Sequence, residues 1–396
     1  MKIVAYETKL LPNKVAIYES TGDKVASKRL DELFSFLLEQ YDNCIKVCWN
    51  LNETIAPLLK ILGEKRCQNL HTAKKLHYPP FGIFYIPDKV FSVKHIPSRA
   101  SLNLYGIDQY YPDIIDNPNV DNVQGLGENL MHNLDRMGLQ PTKLTSPIAI
   151  YQQCILSKLD LPKLSDMPVE VIEYANRCAG KLWIEAHQVG YWEQVFNYDI
   201  VASFPAVMQE LLDIRYCDWV QSDKYVDKAI YGYCKGKITI YDDVQVSPII
   251  RIKDDGSSSS PTGTWLDYLT KNEIDFIQRW KIGKFNIENG YWAIPKVPID
   301  EITRPLKEPL SKILKFREMS GIQSFLAKRM SVGIYGKTGE EYEEVLGPYA
   351  NPCWFAETST QVRLQVAEFI CSNQLQQHLI HVGVDGILLD KKTSIK

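Results

Sequence analysis

The spacing of apolar and polar residues in the first third of the chain predicts short strands mixed with helices. Short apolar runs at 2–6 and 14–18, joined by a turn at 11–13, are typical of neighbouring strands, and apolar residues recur with helical spacing at 30–39. A further strand is predicted at 45–49, a polar loop at 112–122 and a helix at 126–137. The order strand, strand, helix, strand indicates a mixed sheet with helices packed against it.

The pattern after residue 165 predicts a second group of strands and helices. Helices are expected at 168–178 and 206–212, and strands at 181–185, 193–198, 230–233, 238–241 and 249–252, with a turn near Gly236. The serine-rich stretch 254–264 is typical of a flexible loop. Two helices at 306–318 and 322–335, joined through Ser320 and Gly321, are expected to form an antiparallel pair.

The composition fits a folded protein and argues against several other classes. Hydrophobic residues make up 45% of the 396 residues and charged residues 23%. No apolar run reaches the roughly eighteen residues that span a bilayer, and the first residues turn polar too early for a secretory leader. The nine cysteines include no Cys-x-x-Cys pair and no Cys/His group at zinc-ligand spacing. We therefore expect a cytoplasmic protein with no membrane partner.

The overall charge is balanced, whereas one segment is strongly basic. The formal net charge is −3, but residues 304–337 contain eight Lys and Arg residues and only two Glu residues. A local excess of this kind favours contact with phosphate groups.

Three short segments carry the candidate chemistry. The first is 198–208, where an apolar strand ends at Asp199 and turns through Phe204 and Pro205 into a helix. A carboxylate held at a strand end suits a hard cation that prefers oxygen ligands. Taken alone, an Asp in this position is more often a helix cap.

The second segment, 328–337, carries positive charge on a helical face near the end of the second predicted helix of the pair. Such a face can hold a triphosphate, although an isolated basic helix is more often simply solvated. The third segment, 379–390, is an apolar strand that meets Asp385 and Gly386 and leaves as another apolar strand. By itself, Asp-Gly is the commonest kind of plain hairpin turn.

Together and in this order, the three segments resemble the three polymerase motifs of family B DNA polymerases of the phage or mobile-element type. Residues 199–205 are similar to the first motif, with Ala202, Ser203 and Phe204 before the Pro. Lys328, Tyr335 and Gly336 match the second motif, in which Val332 and Gly333 replace Asn and Ser. Asp385 matches the retained acid of the third motif, in which Gly383 replaces the other Asp.

Further matches surround these motifs. Residues 179–185, with Gly180 and Lys181, resemble the turn that links the exonuclease and polymerase domains of the family and touches the template. Residues 264–274 resemble a segment that precedes the fingers, and 351–352 with 358–366 resemble the helix that leads to the third motif. The resemblance covers most of residues 175–390.

The N-terminal region occupies the place of the 3′-to-5′ exonuclease. Residues 5–8 are similar to the first exonuclease motif with Ala5 in place of its Asp, and residues 49–54 to the second with Thr54 in place of its Asp. Hydrolysis in such a site needs several carboxylates around two metal ions about 4 Å apart. We therefore expect this domain to be inactive as a nuclease.

The resemblance implies an α/β plus α+β architecture. A ribonuclease-H-like exonuclease domain is expected at 1–165, a right-hand polymerase palm at 166–264 and 338–396, and helical fingers at 265–337. The sequence ends eleven residues after Asp385, where the family continues into a thumb, so a thumb is expected to be absent from this sequence. Three explanations stay open: the sequence is a fragment, a second polypeptide supplies the thumb, or the protein has stopped being a polymerase.

The resemblance also assigns roles. Two Mg²⁺ or Mn²⁺ ions would be held by Asp199, Asp385 and the backbone carbonyl of Ile200, and would join a dNTP to the 3′-hydroxyl of a primer–template. Nucleotide-binding and DNA-binding roles fall on further residues: Lys328, Tyr335, Phe204, Arg317 and Lys315 for the nucleotide, and Gly180, Lys181 and Lys337 for DNA. The expected function is DNA-templated DNA synthesis in a bacterial or virus-infected cell.

Two other functions stay open. The first is a polymerase homologue that has lost catalysis and acts as a nucleic-acid-binding or scaffold subunit, which the altered second motif and Gly383 favour. The second is a nuclease that acts through the N-terminal domain, which Ala5 and Thr54 argue against.

Overall fold

The computed structural model describes residues 2–39, 44–115, 117–253 and 255–393. The chain divides into two compact units, each of which is described by itself. The first unit comprises Met1–Lys158 and Ile313–Met330, and the second comprises Leu159–Lys312 and Ser331–Lys396. Asp254, the first residue of the predicted serine-rich loop, lies outside the described residues.

The first unit is built on an eight-stranded mixed sheet in the order β3-β2-β1-β4-β8-β7-β6-β5. Its central strand β4 pairs in parallel with β1 and with β8, and the other neighbours are antiparallel. The strands are β1 (Lys2–Leu11), β2 (Lys14–Glu19), β3 (Lys24–Ser27), β4 (Cys44–Cys48), β5 (Lys75–Tyr78), β6 (Phe81–Ile86), β7 (Val90–His95) and β8 (Ser101–Gly106). This mixed sheet with helices is the arrangement that the first residues predict.

Helices cover the sheet of the first unit. They are α1 (Leu30–Glu39), α2 (Leu51–Leu62), α3 (Glu64–Ala73), α4 (Val120–Arg136) and α5 (Pro147–Cys154). Helix α4 lies close to β1 because Gly127 has no side chain; a Cβ there would lie 2.8 Å from Cγ2 of Ile3. The helix starts at Val120, inside the predicted loop, because the side chain of Asn119 accepts a hydrogen bond from the backbone N–H of Asn122 and caps it.

The second unit contains two four-stranded antiparallel sheets. The first has the order β10-β20-β19-β9 and the second β11-β16-β12-β15. The strands are β9 (Ile184–Ala186), β10 (Phe196–Asp199), β11 (Cys217–Ser222), β12 (Tyr231–Ile240), β13 (Arg251–Ile252), β14 (Ser258–Ser259), β15 (Gly263–Thr270), β16 (Gly283–Pro295), β17 (Glu341–Tyr342), β18 (Val345–Leu346), β19 (Leu379–Gly383) and β20 (Gly386–Leu389). Strands β13 and β14 form a short hairpin, as do β17 and β18.

The helices of the second unit pack on these sheets. They are α6 (Val169–Cys178), α7 (Ser203–Gln209), α8 (Lys271–Trp280) and α11 (Pro352–Ser372). Helix α8 begins with a capping box, in which Thr270 and Glu273 satisfy each other's backbone N–H groups. Helix α11 is mostly buried, which explains why its sequence shows little of the polar face that a surface helix carries.

Two further helices, α9 (Lys307–Leu314) and α10 (Ile322–Thr338), coincide with the predicted helix pair. Helix α9 is continued by a 3₁₀ turn, Lys315–Glu318. Both helices contribute residues to both units, because the unit boundaries fall at Ile313 and after Met330.

The turn predicted near Gly236 is wrong. Residues 231–240 form one continuous strand, and Gly236 lies at a bulge between β12 and β16. A Cβ on Gly236 would lie 2.3 Å from the carbonyl oxygen of Asn286. The glycine is therefore required by the close approach of the neighbouring strand rather than by a turn. Similarly, the strand predicted at 249–252 is reduced to Arg251–Ile252.

Candidate active site

The two carboxylates of the first and third segments lie on adjacent strands. Strand β10 ends at Asp199, and Asp385 lies in the two-residue turn between β19 and β20. Asp199 pairs with Gly386, the residue after Asp385. A Cβ on Gly386 would lie 3.1 Å from Oδ1 of Asp199, so a side chain there would crowd this carboxylate.

Hydrogen bonds connect the turn to the strand ends on both sides. The backbone N–H of Ile200 donates to the carbonyl oxygen of Asp385 at 3.0 Å, and the N–H of Val384 donates to the carbonyl of Trp183 at 2.8 Å. The hydroxyl of Ser203 donates to Oδ2 of Asp385. The Asp385 carboxylate is thus oriented by the first turn of α7, which follows directly from the strand that carries Asp199.

A residue in the left-handed backbone region lies directly before Asp385, and another lies three residues after Asp199. Ala202 has φ of 57° and Val384 has φ of 64°. A β-branched residue rarely adopts this conformation, because its side chain crowds the backbone. Strained residues of this kind cluster at functional sites, where the surrounding structure holds them in place.

The carboxylates line a cleft of about 350 Å³. Its walls come from β10, the turn before β20, and helix α11: Tyr198, Asp199, Ile200, Gln365, Val366, Phe369, Asp385, Gly386 and Ile387. The polar ligands that the cleft offers are oxygens, which suits Mg²⁺ or Mn²⁺ rather than a softer metal. The described residues form no group of three or more His, Cys, Asp or Glu side chains that could hold a metal, so two carboxylates would have to be supplemented by carbonyl oxygens and by the substrate.

Three aromatic rings from three helices form a stack in the second unit. The ring centroids of Phe204 and Tyr335 are 4.6 Å apart, and those of Tyr335 and Phe355 are also 4.6 Å apart. Phe204 and Tyr335 were expected in the nucleotide site, whereas no sequence signal singles out Phe355. Phe355 lies between residues 351–352 and 358–366, the two stretches whose sequence resembles the family, and no spacing rule connects it to Tyr335.

The predicted cationic and DNA-binding residues have different surroundings. Lys181 is buried: its side chain is 2% exposed, and Nζ donates to the carbonyl of Tyr268 and lies 3.2 Å from a carboxylate oxygen of Asp267. This location differs from the solvent-facing one that contact with DNA requires. Gly180 has φ of 69°, so a residue with a side chain would be strained there. Lys337 makes an ion pair with Glu340.

The remaining predicted nucleotide-binding cations belong to the first unit. Lys315 and Lys328 are exposed, and Arg317 is partly exposed in the 3₁₀ turn. The carbonyl of Arg317 accepts a hydrogen bond from Ser324. By contrast, the second unit contains the predicted aromatic and metal-binding residues: Phe204, Tyr335, Asp199 and Asp385.

Helix α11, which carries Phe355, also carries two buried ionisable residues that form a polar network. Arg363, which is 1% exposed, donates to the carboxylate of Glu273 and to the carbonyl of Lys181. One turn and a half earlier, Glu357 is fully buried and accepts a hydrogen bond from the amide of Asn272 at 2.6 Å. Burial raises the pKa of Glu357 to about 8, because removal from water disfavours its charged form.

A second, smaller pocket of about 110 Å³ lies in the first unit, where the exonuclease motifs were expected. Its lining includes Glu7 and Thr54 from the two degenerate motifs, together with Asn117, which donates to the carboxylate of Glu53 at 3.0 Å. Glu7 lies 3.3 Å from Nζ of Lys9. The contribution of Glu53 and Asn117 was not predicted, because they are 64 positions apart.

Comparison with solved structures shows which fold these units form. Phi29 DNA polymerase in its complex with primer-template DNA and incoming nucleotide matches with a TM-score of 0.63 over 100% of this chain and 80% of that chain, at 12% sequence identity. The same polymerase in complex with single-stranded DNA matches with a TM-score of 0.62 over 100% of this chain and 81% of that chain, at 14% identity. The chain has a fold similar to that of Phi29 DNA polymerase.

The similarity is one of structure alone. No protein-family model matches the sequence, and no curated protein matches it at a significant level. In the part of the chain that the structure describes, no helix is both long and apolar enough to cross a membrane.

Proposed function

We propose that the chain is the catalytic part of a DNA-templated DNA polymerase, in which Asp199 and Asp385 hold two divalent ions and join a dNTP to a primer 3′-hydroxyl. The observation that carries this proposal is the pairing of β10 with β20, which brings the two acids of the first and third motifs to one cleft. The Phi29-like fold supports it.

The residues of the second unit have distinct roles in this proposal. The carboxylates of Asp199 and Asp385, with the carbonyl of Ile200, would bind the ions, and Ser203 orients Asp385. When bound, Mg²⁺ or Mn²⁺ would lower the pKa of the primer hydroxyl and neutralise the charge of the triphosphate. Phe204 packs against the sugar and excludes a ribose 2′-hydroxyl, and Tyr335 supports the same pocket.

The other cations keep roles that rest on the family resemblance. Lys328 would neutralise phosphate charge, with Arg317 or Lys315 as a second clamp. Lys337 and Gly180 would contact DNA, whereas Lys181 is left out of this set because it is buried. Because the chain matches 80% of the Phi29 polymerase chain, we propose that further duplex contacts, including those of a thumb, come from additional polypeptide. We place this activity in the cytoplasm of a bacterial or virus-infected cell.

Incorporation of a single nucleotide tests the catalytic assignment. The full chain is incubated with excess primer–template, dNTP and Mg²⁺ or Mn²⁺, and extension by one nucleotide is followed. Asp385→Asn should lower the rate by about a hundredfold or more, because it removes the charge that stabilises the transition state. Asp390→Asn is the matched control, since Asp390 lies just after β20 and pairs with His378. Extension that survives in Asp385→Asn would refute the assignment.

The alternative of a catalytically lapsed homologue is favoured by two observations. Gly383 occupies the place of the other acid of the third motif, and the described residues form no cluster of three metal-binding side chains. In that case the chain would bind primer–template, measured by fluorescence anisotropy, but would neither extend it nor bind dNTP more tightly when Mg²⁺ is added.

A further inference from the structure

The ring of Phe355 on helix α11 contacts Tyr335, which in turn contacts Phe204, the other aromatic residue of the proposed nucleotide pocket. Phe355 stacks on Tyr335 with an angle of 31° between the ring planes, and Tyr335 meets Phe204 at 47°. We propose that Phe355 is a positioning residue that, through Tyr335, fixes the ring of Phe204 and so sets the selectivity of the site for deoxyribonucleotides. This inference rests on the proposed function and deepens it.

Phe355 is held firmly at the far end of the stack. A Cβ on Gly339 would lie 2.6–2.7 Å from three atoms of the Phe355 ring, so the ring packs directly against the backbone of that glycine. A Cβ on Gly180 would lie 3.6 Å from the same ring. The start of α11 is also tied to the end of α10, because the N–H of Asn351 donates to the carbonyl of Thr338 at 2.8 Å. The ring therefore has little freedom to move.

Tyr335 is coupled to α11 at two points. Its ring rests on Phe355, and its hydroxyl is hydrogen-bonded to Ser359, one helical turn further along α11. The hydroxyl of Ser359 in turn donates to the carbonyl of Phe355 at 3.0 Å. Burial raises the pKa of Tyr335 to about 12, so the phenol stays neutral and can keep this hydrogen bond.

Phe204 is the end of the stack that is next in sequence to a residue bonded to the Asp385 carboxylate. It follows Ser203, whose hydroxyl is bonded to Asp385, and it lies in the first turn of α7. A ring that excludes a 2′-hydroxyl by contact works only if it cannot retreat when the larger sugar enters. Each aromatic contact behind it resists such a retreat. The stack thus transfers the rigidity of α11 to the ring that touches the sugar.

The test is equilibrium binding of dATP and ATP to the full chain in the presence of Mg²⁺, measured by calorimetry. The wild-type chain should bind dATP more tightly than ATP. In Phe355→Ala the ratio of the two dissociation constants should fall by about threefold to tenfold, the range expected when one aromatic contact is lost. The fall should come from tighter ATP binding, which a mere loss of packing would not produce, and Phe355→Leu should restore part of the ratio.

Two variants keep the outcome clear. Phe285→Ala, which removes another half-buried ring of the second unit, should lower stability but leave the ratio unchanged. Gly339→Ala keeps all three rings but places a Cβ against the Phe355 ring, which must then move. This variant should also change the ratio, and it provides the test if Phe355→Ala does not fold.

The failure of this inference differs from that of the proposed function. If both nucleotides bind and the ratio stays the same in Phe355→Ala and Gly339→Ala, the nucleotide site stands and Phe355 is only a packing residue. If the wild-type chain binds neither nucleotide at millimolar concentration, the nucleotide site itself is wrong and the inference falls with it.

Discussion

At the scale of single residues, the candidate site depends on backbone conformations that most side chains avoid. Val384 occupies the left-handed region directly before Asp385, and its N–H donates to Trp183. The turn must place Asp385 opposite the end of β10, and this requirement overrides the preference of valine for extended backbone. Part of the strain at the site therefore lies in the residue directly before this carboxylate.

Relieving this strain should stabilise the chain. Val384→Asn should raise the free energy of unfolding by about 1 kcal/mol, because Asn tolerates the left-handed region far better than a β-branched residue. Urea unfolding monitored by tryptophan fluorescence measures the change. Val201→Asn is the control; Val201 is 81% exposed, so its replacement should change stability by no more than about 0.5 kcal/mol. A loss of stability in Val384→Asn would show that packing of the valine side chain outweighs the strain.

At the scale of secondary-structure elements, local and long-range features differ in how far sequence predicts them. The strand that ends at Asp199 and the hairpin around Asp385 are predictable because strand patterns and turn residues act over a few neighbouring positions. The stack of Phe355 on Tyr335 and the contact of Arg363 with Glu273 are not, since they join separate elements. Lys181 shows the same limit: a DNA contact was expected for it from the sequence, but its side chain is buried against Asp267 and Tyr268 of β15.

The buried carboxyl of helix α11 should make stability depend on pH. The pKa of Glu357 is about 8 in the folded chain against an ordinary value of 4.5, so the folded state binds the proton more tightly than the unfolded state does. Stability from this group is complete below the ordinary pKa and is lost as the pH rises through about 8. The loss is up to about 1.4 kcal/mol for each pH unit within that window. The titratable neighbours of Glu357 include Glu273, Tyr231, Tyr233 and Cys353.

Glu357→Gln should remove this dependence. The neutral amide has nearly the same shape and no proton to lose, so the free energy of unfolding should fall less steeply between about pH 5 and pH 8 than in the wild-type chain. Urea unfolding at several pH values measures the slope. Glu368→Gln, on the same helix with a side chain that is 35% exposed, should retain the wild-type slope. Equal slopes in the wild-type chain and Glu357→Gln would mean that Glu357 is ionised in the folded state.

At the scale of the whole molecule, the first unit is a mixed sheet with helices, and its sequence lacks two of the acids that an exonuclease site would need. Ala5 and Thr54 stand where two metal-binding carboxylates are expected, and Glu7 is paired with Lys9. We predict no shortening of 5′-labelled single-stranded DNA from its 3′ end with Mg²⁺ or Mn²⁺, because two-metal hydrolysis lacks its ligands. The products are resolved on a denaturing gel. Shortening that disappears in Glu7→Ala would show that the motif alignment is wrong.

The affinity of the chain for primer–template should depend strongly on salt concentration. Its basic segment, 304–337, offers a few phosphate contacts, and each contact releases counterions when it forms. If three cations of this segment, Lys337 among them, each contact a DNA phosphate, the logarithm of the binding constant should fall with the logarithm of salt concentration with a slope of about −3. Anisotropy titrations of labelled primer–template at several salt concentrations give this slope, and binding should be weak near physiological salt.

Single substitutions identify which cations make the phosphate contacts that produce this salt dependence. Lys337→Gln should make it shallower by about one unit, because one DNA phosphate contact is lost. Lys284→Gln, which removes an exposed cation from β16 in the second unit, should leave it unchanged. Tight binding that hardly responds to salt would contradict this account, since phosphate neutralisation could not then be its source. It would instead favour the scaffold function, in which a surface outside the basic segment contacts the nucleic acid.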